Sequence, residues 1–168
     1  MTKKNLEFET IYQSNYSRVF RLCQGYVHGN VSLAKDLTHE VFIKVWEGLA
    51  SFKNEAAIST WIYRIAVNTC LMHLRHNKKK YTLFKEGAIA DIPPESEPSV
   101  NQKEGRLKQL YHCIRKLPEV SKTIILLELE GVPQKEIAAI TGITHAAVRV
   151  RLHRIKDNLT KCVRNGII

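Results

Sequence analysis

The stretch Pro133 to Leu159, PQKEIAAITGITHAAVRVRLHRIKDNL, constrains this chain more than any other. Ile137 and Ile140 form an apolar i, i+3 pair on a short helix over Gln134 to Ile140, and Ala138 is small where a second helix must pack close. Thr141-Gly142 breaks the period, and glycine tolerates the positive φ of a tight turn between helices. Thr144 can cap the next helix through its hydroxyl. Val148, Leu152, Ile155 and Leu159 then recur at i, i+4, i+7 and i+11 as one buried stripe. The other faces carry Arg149, Arg151, His153, Arg154 and Lys156. This is the pattern of a helix-turn-helix. Its second helix, with Thr144, His145, Ala147, Arg149, Val150, Arg151, His153 and Arg154 as candidate contacts, suits a DNA major groove. Arginine forks match phosphates and the O6/N7 edge of guanine. A helical hairpin with a solvated basic face is the plainer alternative, but small residue, turn glycine and apolar positions all fall at helix-turn-helix spacing.

The formal net charge of +10 and pI near 9.6 over 168 residues favour a polyanionic partner, either nucleic acid or an anionic membrane surface. Residues 1–80 carry a net +6, residues 81–105 a net −3 and residues 106–168 a net +7. Two basic blocks around an acidic spacer suggest two nucleic-acid-facing modules on a tether. The spacer segment Asp91 to Ser99 (DIPPESEPS) is proline-rich with almost nothing to bury, and reads as a flexible linker. The expected fold is all-α: a helical domain over 1–80, a linker over 81–105, and a helix-turn-helix domain over 106–168.

Within the first block, Leu6, Phe8, Ile11, Tyr12, Tyr16, Val19, Phe20 and Cys23 predict one or two amphipathic helices with a mainly aromatic core face, closed by a Gly29-Asn30 turn. Ser32 is the expected cap of a long helix to about Leu49, with Ala34, Leu37, Val41, Phe42, Val45 and Leu49 inward. Asp36, His39, Glu40, Ile43 and Glu47 face the other way. An acidic face with one exposed isoleucine suits a basic protein surface better than DNA; a merely solvated face is the plainer alternative. Ser51 to Thr60 is a short-sided polar loop, and Ser59 can start a helix from Trp61 to about Asn77. Ile58, Ile62, Ile65, Thr69 and Met72 are expected on its buried side. Arg64, Asn68, Leu71 and Arg75 form the opposite stripe and lead into a lysine cluster, which suits a nucleic-acid backbone. Trp61 and Phe52 can offer stacking faces to unpaired bases, although core packing is the simpler role for either. In the second block, Leu107, Leu110, Ile114 and Leu117 predict a helix stopped by Pro118, and a further helix through Ile124 and Leu127 ends at Gly131.

Cys23, Cys70, Cys113 and Cys162 lack CxxC pairing and read as reduced thiols of a cytosolic protein. The N-terminal MTKKNLEFETIY has no apolar core of a signal peptide, and the longest apolar run, Ile124 to Leu127, is far too short to span a bilayer. Membrane insertion is therefore not expected.

Three segments together resemble a known family. Asp36 to Trp46 (DLTHEVFIKVW) is similar to the core-polymerase-binding helix of bacterial sigma factors. Ser51-Phe52-Lys53 through Trp61 to Asn68 is similar to their −10-element segment. Leu117-Pro118 through Gly131, followed by Lys135 to Ala138 and Val148 to Arg154, resembles their −35-binding domain. The order, the lengths and the lack of an intervening domain resemble the extracytoplasmic-function (ECF) branch of the sigma-70 family. The resemblance implies a promoter-specificity subunit of RNA polymerase that works in the cytoplasm. Asp36, His39, Glu40 and Ile43 would grip the polymerase core. The loop before Trp61 would capture a flipped −10 base, with Arg64, Asn68 and Arg75 alongside, and the helix from Thr144 would enter the −35 major groove. Such proteins are commonly held inactive by an anti-sigma factor, often membrane-bound, so that partner is implied as well. The chain departs from the family pattern at His39, where glutamine is usual, and at Pro133, where a capping serine is common. It also has Ala146-Ala147 for a frequent Gly-Thr and Val150 for a serine; Val150 can instead touch a thymine methyl.

A helix-turn-helix regulator that is not a polymerase subunit is the alternative; it would need a ligand pocket or dimer helix. A metal site from Cys70, His73 and His76 is disfavoured, because steps of three turn Cys70 and His76 about a third of a turn apart. No nucleophile–base pair or phosphate loop points to an enzyme, and no cofactor or metal is expected.

Overall fold

A computed structural model describes residues 3–84 and 102–166. Among them the chain is helical throughout: α1 (Lys3–Tyr26), α2 (Val31–Gly48), a 3-10 turn (Leu49–Ser51), α3 (Ile58–Phe84), α4 (Gln102–Arg115), α5 (Glu119–Leu129), α6 (Gln134–Thr141) and α7 (His145–Asn165). Helix α3 passes the expected boundary at 80, and α4 begins before 106. The expected acidic proline-rich linker falls mostly on 85–101, outside the described residues.

In the first module α1 is one continuous helix, because its apolar period never breaks before the left-handed pair His28 (φ 57°) and Gly29 (φ 88°). Asn30 caps α2, its side-chain oxygen accepting from the Leu33 N–H at 3.0 Å. The expected cap, Ser32, lies inside the helix. The turn ends at Asn30, and asparagine caps as well as serine, so the helix starts two residues earlier. Aromatic side chains staple α1 to α2: Tyr12 and Phe42 meet edge-on with centroids 4.8 Å apart, and Phe8 and Trp46 at 5.1 Å. Helix α2 buries Ala34, Leu37, Val41, Phe42 and Val45 as its spacing requires.

Helix α3 corrects its expected face. Ile62, Tyr63, Ala66, Val67, Thr69 and Cys70 are buried, Ile58 and Ile65 only partly, and Met72 is 64% exposed. Helices α1, α2 and α6 all touch α3, so burial follows several neighbours rather than one stripe.

In the second module the α7 stripe Val148, Leu152, Ile155 and Leu159 is buried in full and packs with Ile114, Ile124, Leu127 and Ile137. Each such side chain contributes on the order of 1.5–3 kcal/mol when fully buried. Pro133 precedes α6 rather than opening it; its carbonyl accepts the Ile137 N–H at 3.0 Å. Leu107 is 47% exposed, and Leu117 lies beyond the end of α4. The cysteine expectation fails for one pair. Cys113 and Cys162 form a disulfide between α4 and α7, with Cα atoms 6.0 Å apart across 49 residues of sequence. Their spacing along the chain carries no sign of this, since helix packing alone brings them together. Cys23 and Cys70 are free, buried thiols, the Cys70 Sγ donating to the Cys23 Sγ at 3.6 Å.

The two modules do not sit apart. Their cores join into one cluster, and α1 packs on α4 and α5 while α3 packs on α6. His28 lies at this seam. Desolvation, together with the Lys122 and Arg115 charges, holds its imidazole pKa down to about 4. Between about pH 6.5 and 4 the unfolded chain therefore binds more protons at this site than the folded one, and stability falls as pH drops through that window. The effect is small, because His28 as a whole remains exposed to solvent. His28→Asn keeps a residue that tolerates φ 57° and removes the titration. Its thermal midpoint is expected to fall less than that of the wild type between pH 6.5 and 4.5, as measured by circular dichroism.

Candidate nucleic-acid and polymerase interfaces

Thr144 roots helix α7, its hydroxyl accepting from the Ala147 N–H at 3.2 Å, and Gly142 (φ 73°) makes the turn before it. At 100° per residue Val150 lies opposite the buried Val148 stripe, in the middle of the solvent face. Val150 is 53% exposed. Ala146 and His153 lie to one side of it and Arg154 to the other, all exposed. Arg149 and Arg151 are exposed on opposite flanks of the same face. His145 is exposed in the first turn, whereas Ala147 is half-buried toward the module. Lys156 is tied to Glu128 of α5 at 2.8 Å, which turns its charge away from the reading face.

The second surface surrounds the N-terminus of α3. Ser51, Phe52, Lys53, Glu55, Ala56, Trp61 and Arg64 line a cavity of about 200 Å³. That is below the ~300–1,000 Å³ of drug-sized pockets and on the scale of one nucleobase. Phe52 and Trp61, both half-buried, have ring centroids 4.9 Å apart. Asn54 holds a left-handed φ of 54° at the loop tip, which asparagine tolerates. Arg64, Asn68 and Arg75 are exposed along one side of α3, as the spacing predicted, but Leu71 of the same expected stripe is partly buried against the core. Ser51, Lys53, Glu55 and Ala56 lie in the loop expected to capture a base, although none was assigned an individual contact from the sequence; the short polar character of the loop was the available signal. The sequence also gave no sign that Arg64 and Arg75 have partners in the second module: the Ala139 carbonyl at 3.5 Å and the Glu119 carboxylate at 2.5 Å.

The third surface is the outer side of α2. Asp36, His39, Glu40 and Ile43 are all exposed there, Ile43 by 58%. Glu40 is paired with Lys44 at 2.8 Å, and Lys44 also donates to Thr69. The Cys70, His73 and His76 set does not converge: Cys70 is buried against Cys23, His73 bonds Asn77 at 3.0 Å, and His76 is exposed.

Comparison with known proteins matches the chain to one family. The sigma-70 region 2 family matches residues 11–80, and the sigma-70 region 4 family matches residues 107–159. The ECF RNA polymerase sigma factor SigW of Bacillus subtilis (strain 168) is 30% identical, over 94% of this chain and 89% of its own. The chain belongs to the extracytoplasmic-function sigma factors. The ECF RNA polymerase sigma-E factor of Escherichia coli (strain K12) is 32% identical over 77% of this sigma factor and 73% of its own length. Among solved structures, the sigma factor RpoE from Bartonella quintana, in complex with the anti-sigma factor NepR, shares the fold. It has a TM-score of 0.76 at 16% identity and covers 94% of this chain and 97% of that one. CnrH, solved in complex with the cytosolic domain of CnrY, has a TM-score of 0.68 at 17% identity and covers 94% and 88%. A match over the first module as well as the helix-turn-helix disfavours a regulator unrelated to polymerase. Among the described residues no helix is long and apolar enough to cross a membrane.

Proposed function

We propose that this sigma factor binds RNA polymerase core through the outer face of α2, reads the −35 element with α7, and opens the −10 element with the cavity and stripe at α3. It is a regulatory subunit, and the chemistry of transcription belongs to the core. The observation that carries the reading is the division of exposed surface into three faces of distinct chemistry: an acidic face centred on Ile43, a cationic reader helix rooted at Thr144, and an aromatic-lined cavity beside Arg64. Its place of work is then the cytoplasm. An anti-sigma factor is a fitting regulator, because both structural neighbours were solved with one or with a cytosolic partner domain.

On α7 the central Val150 and Ala146 point at base edges, while Arg149 and Arg151 straddle them toward the two phosphate backbones. Arg149→Ala and Arg151→Ala are therefore expected to weaken −35 binding about equally on matched and scrambled duplexes. Each should reduce the salt slope by about one. Val150→Ala should instead narrow the gap between the two duplexes. Fluorescence anisotropy across a salt series measures all three. Unchanged affinity and slope in both arginine variants would remove α7 as the reader.

A further inference from the structure

The foremost line of the reader helix carries no group that can pair with a base edge. At 100° per residue Ala146 and Val150 fall within about 20° of the direction opposite the buried Val148 stripe. Both are exposed, Val150 by 53%. Across residues 145–151 the polar side chains point elsewhere, Arg149 about 80° from that direction and His145 and Arg151 about 120° from it. The Thr144 hydroxyl oxygen is engaged as the cap, accepting the Ala147 N–H. His153 and Arg154 begin the polar part of the face only on the turn after Val150. Asp157 then lies on the central line itself, exposed and paired with His153 at 3.6 Å. Phosphates would repel that carboxylate, so deep entry into a groove ends before it.

Singly exposed apolar residues are ordinary on a protein surface. These two are stacked on the line of a groove-entering helix that comes closest to the bases. Most major-groove edge groups are hydrogen-bond donors or acceptors, which an apolar side chain would leave unpaired. The group that rewards an apolar side chain there is the C5 methyl of a pyrimidine. We propose that this sigma factor reads pyrimidine C5 methyl groups in the middle of its −35 element, through Val150 and Ala146. The proposal rests on the assignment of α7 as the −35 reader. Ala146 and Val150 are about 6 Å apart along the helix axis. Successive bases of one strand rise about 3.4 Å, so the pair meets methyls one or two base steps apart. The methyl is sensed as an apolar surface. Thymine and 5-methylcytosine are therefore alike to this lane, and cytosine is not. Arg149 and Arg151 hold the helix from its flanks and leave base discrimination to the lane.

The test uses the holoenzyme and a labelled duplex of a promoter that it melts. Each −35 thymine is replaced in turn by uracil, which removes one methyl and leaves base pairing unchanged. At one or two positions uracil should weaken binding about 3–5-fold, the contribution of one buried methyl, and elsewhere by less than about 1.5-fold. Val150→Ala should lose this sensitivity at one position, and Val150→Ile should keep it. Position 150 is exposed, so neither change threatens the fold. A C·G pair at the same position should bind more weakly than the thymine pair, and 5-methylcytosine should recover part of that loss. The methyl reading is overturned by uracil without effect at every −35 thymine, or by a −35 element that has no thymine. It is also overturned if Val150→Ala leaves the uracil sensitivity intact at all positions. Arg149→Ala and Arg151→Ala separate this from the −35 assignment. If they reduce the salt slope while uracil has no effect, only the methyl reading fails; if affinity and slope are unchanged as well, α7 is not the reader.

Discussion

Ile43→Glu is expected to abolish co-purification of this sigma factor with RNA polymerase core while leaving its fold intact. Ile43 is the large apolar side chain at the centre of the outer face of α2, 58% exposed and surrounded by the exposed Asp36, His39, Glu40 and Glu47. An apolar anchor inside a polar rim is the arrangement in which a few residues carry most of an interface's affinity, commonly 2 kcal/mol or more each. Glutamate there would add a charge that must lose its water on docking. The expected loss is at least about thirtyfold in affinity, read by pull-down and by titration calorimetry. Asp36→Arg reverses a charge on the same rim and should act in the same direction. Both positions are exposed, so the cost to folding should stay within about 0.5 kcal/mol. Core binding at wild-type strength in both variants would reduce this face to solvated surface.

Replacing Asn54 to Ala57 with a Gly-Ser segment should spare polymerase binding and −35 binding but nearly remove open complexes. Extruding a base costs a few kcal/mol of lost stacking, which only a fitting pocket offsets. The segment supplies Glu55 and Ala56 to the cavity wall, and the left-handed Asn54 sets the course of the loop. Without it, open complexes should fall on the order of a hundredfold, equivalent to about 2.7 kcal/mol. Permanganate reactivity of unpaired thymines near the start site measures this. Asn68→Ala should act in the same direction with smaller effect, since Asn68 lies on the adjacent exposed stripe and not in the cavity wall. A promoter with a pre-melted −10 bubble should recover part of the Asn68 defect. Full permanganate reactivity on closed duplex in both variants would exclude the loop from strand opening.

Much of this was legible in the sequence because the forces involved act within a few residues. The Val148–Leu159 stripe, the Thr144 cap and the Gly142 turn are set by helical period, a hydroxyl three residues from an open N–H, and the absence of a Cβ. The acidic face of α2 follows from the same period, because its other side is apolar apart from Thr38, whose hydroxyl donates to the Ala34 carbonyl. Local chemistry pointed to Ser32 as the cap of α2, but the backbone turn at His28-Gly29 places Asn30 there instead.

Tertiary structure alone decided the rest. Arg21 and Glu130 are 109 residues apart, and nothing local to either marks the other as its partner. Cys113 and Cys162 are joined only because α4 packs on α7. Met72 fits the expected buried stripe, yet the helices that cover α3 leave it in solvent. Arg64 and Arg75 could be read from spacing as donors awaiting phosphates, but not as donors already facing Ala139 and Glu119. Periodicity fixes which side of a helix is apolar; which neighbour covers that side, and which charges then meet across the seam, depends on how the helices pack in three dimensions.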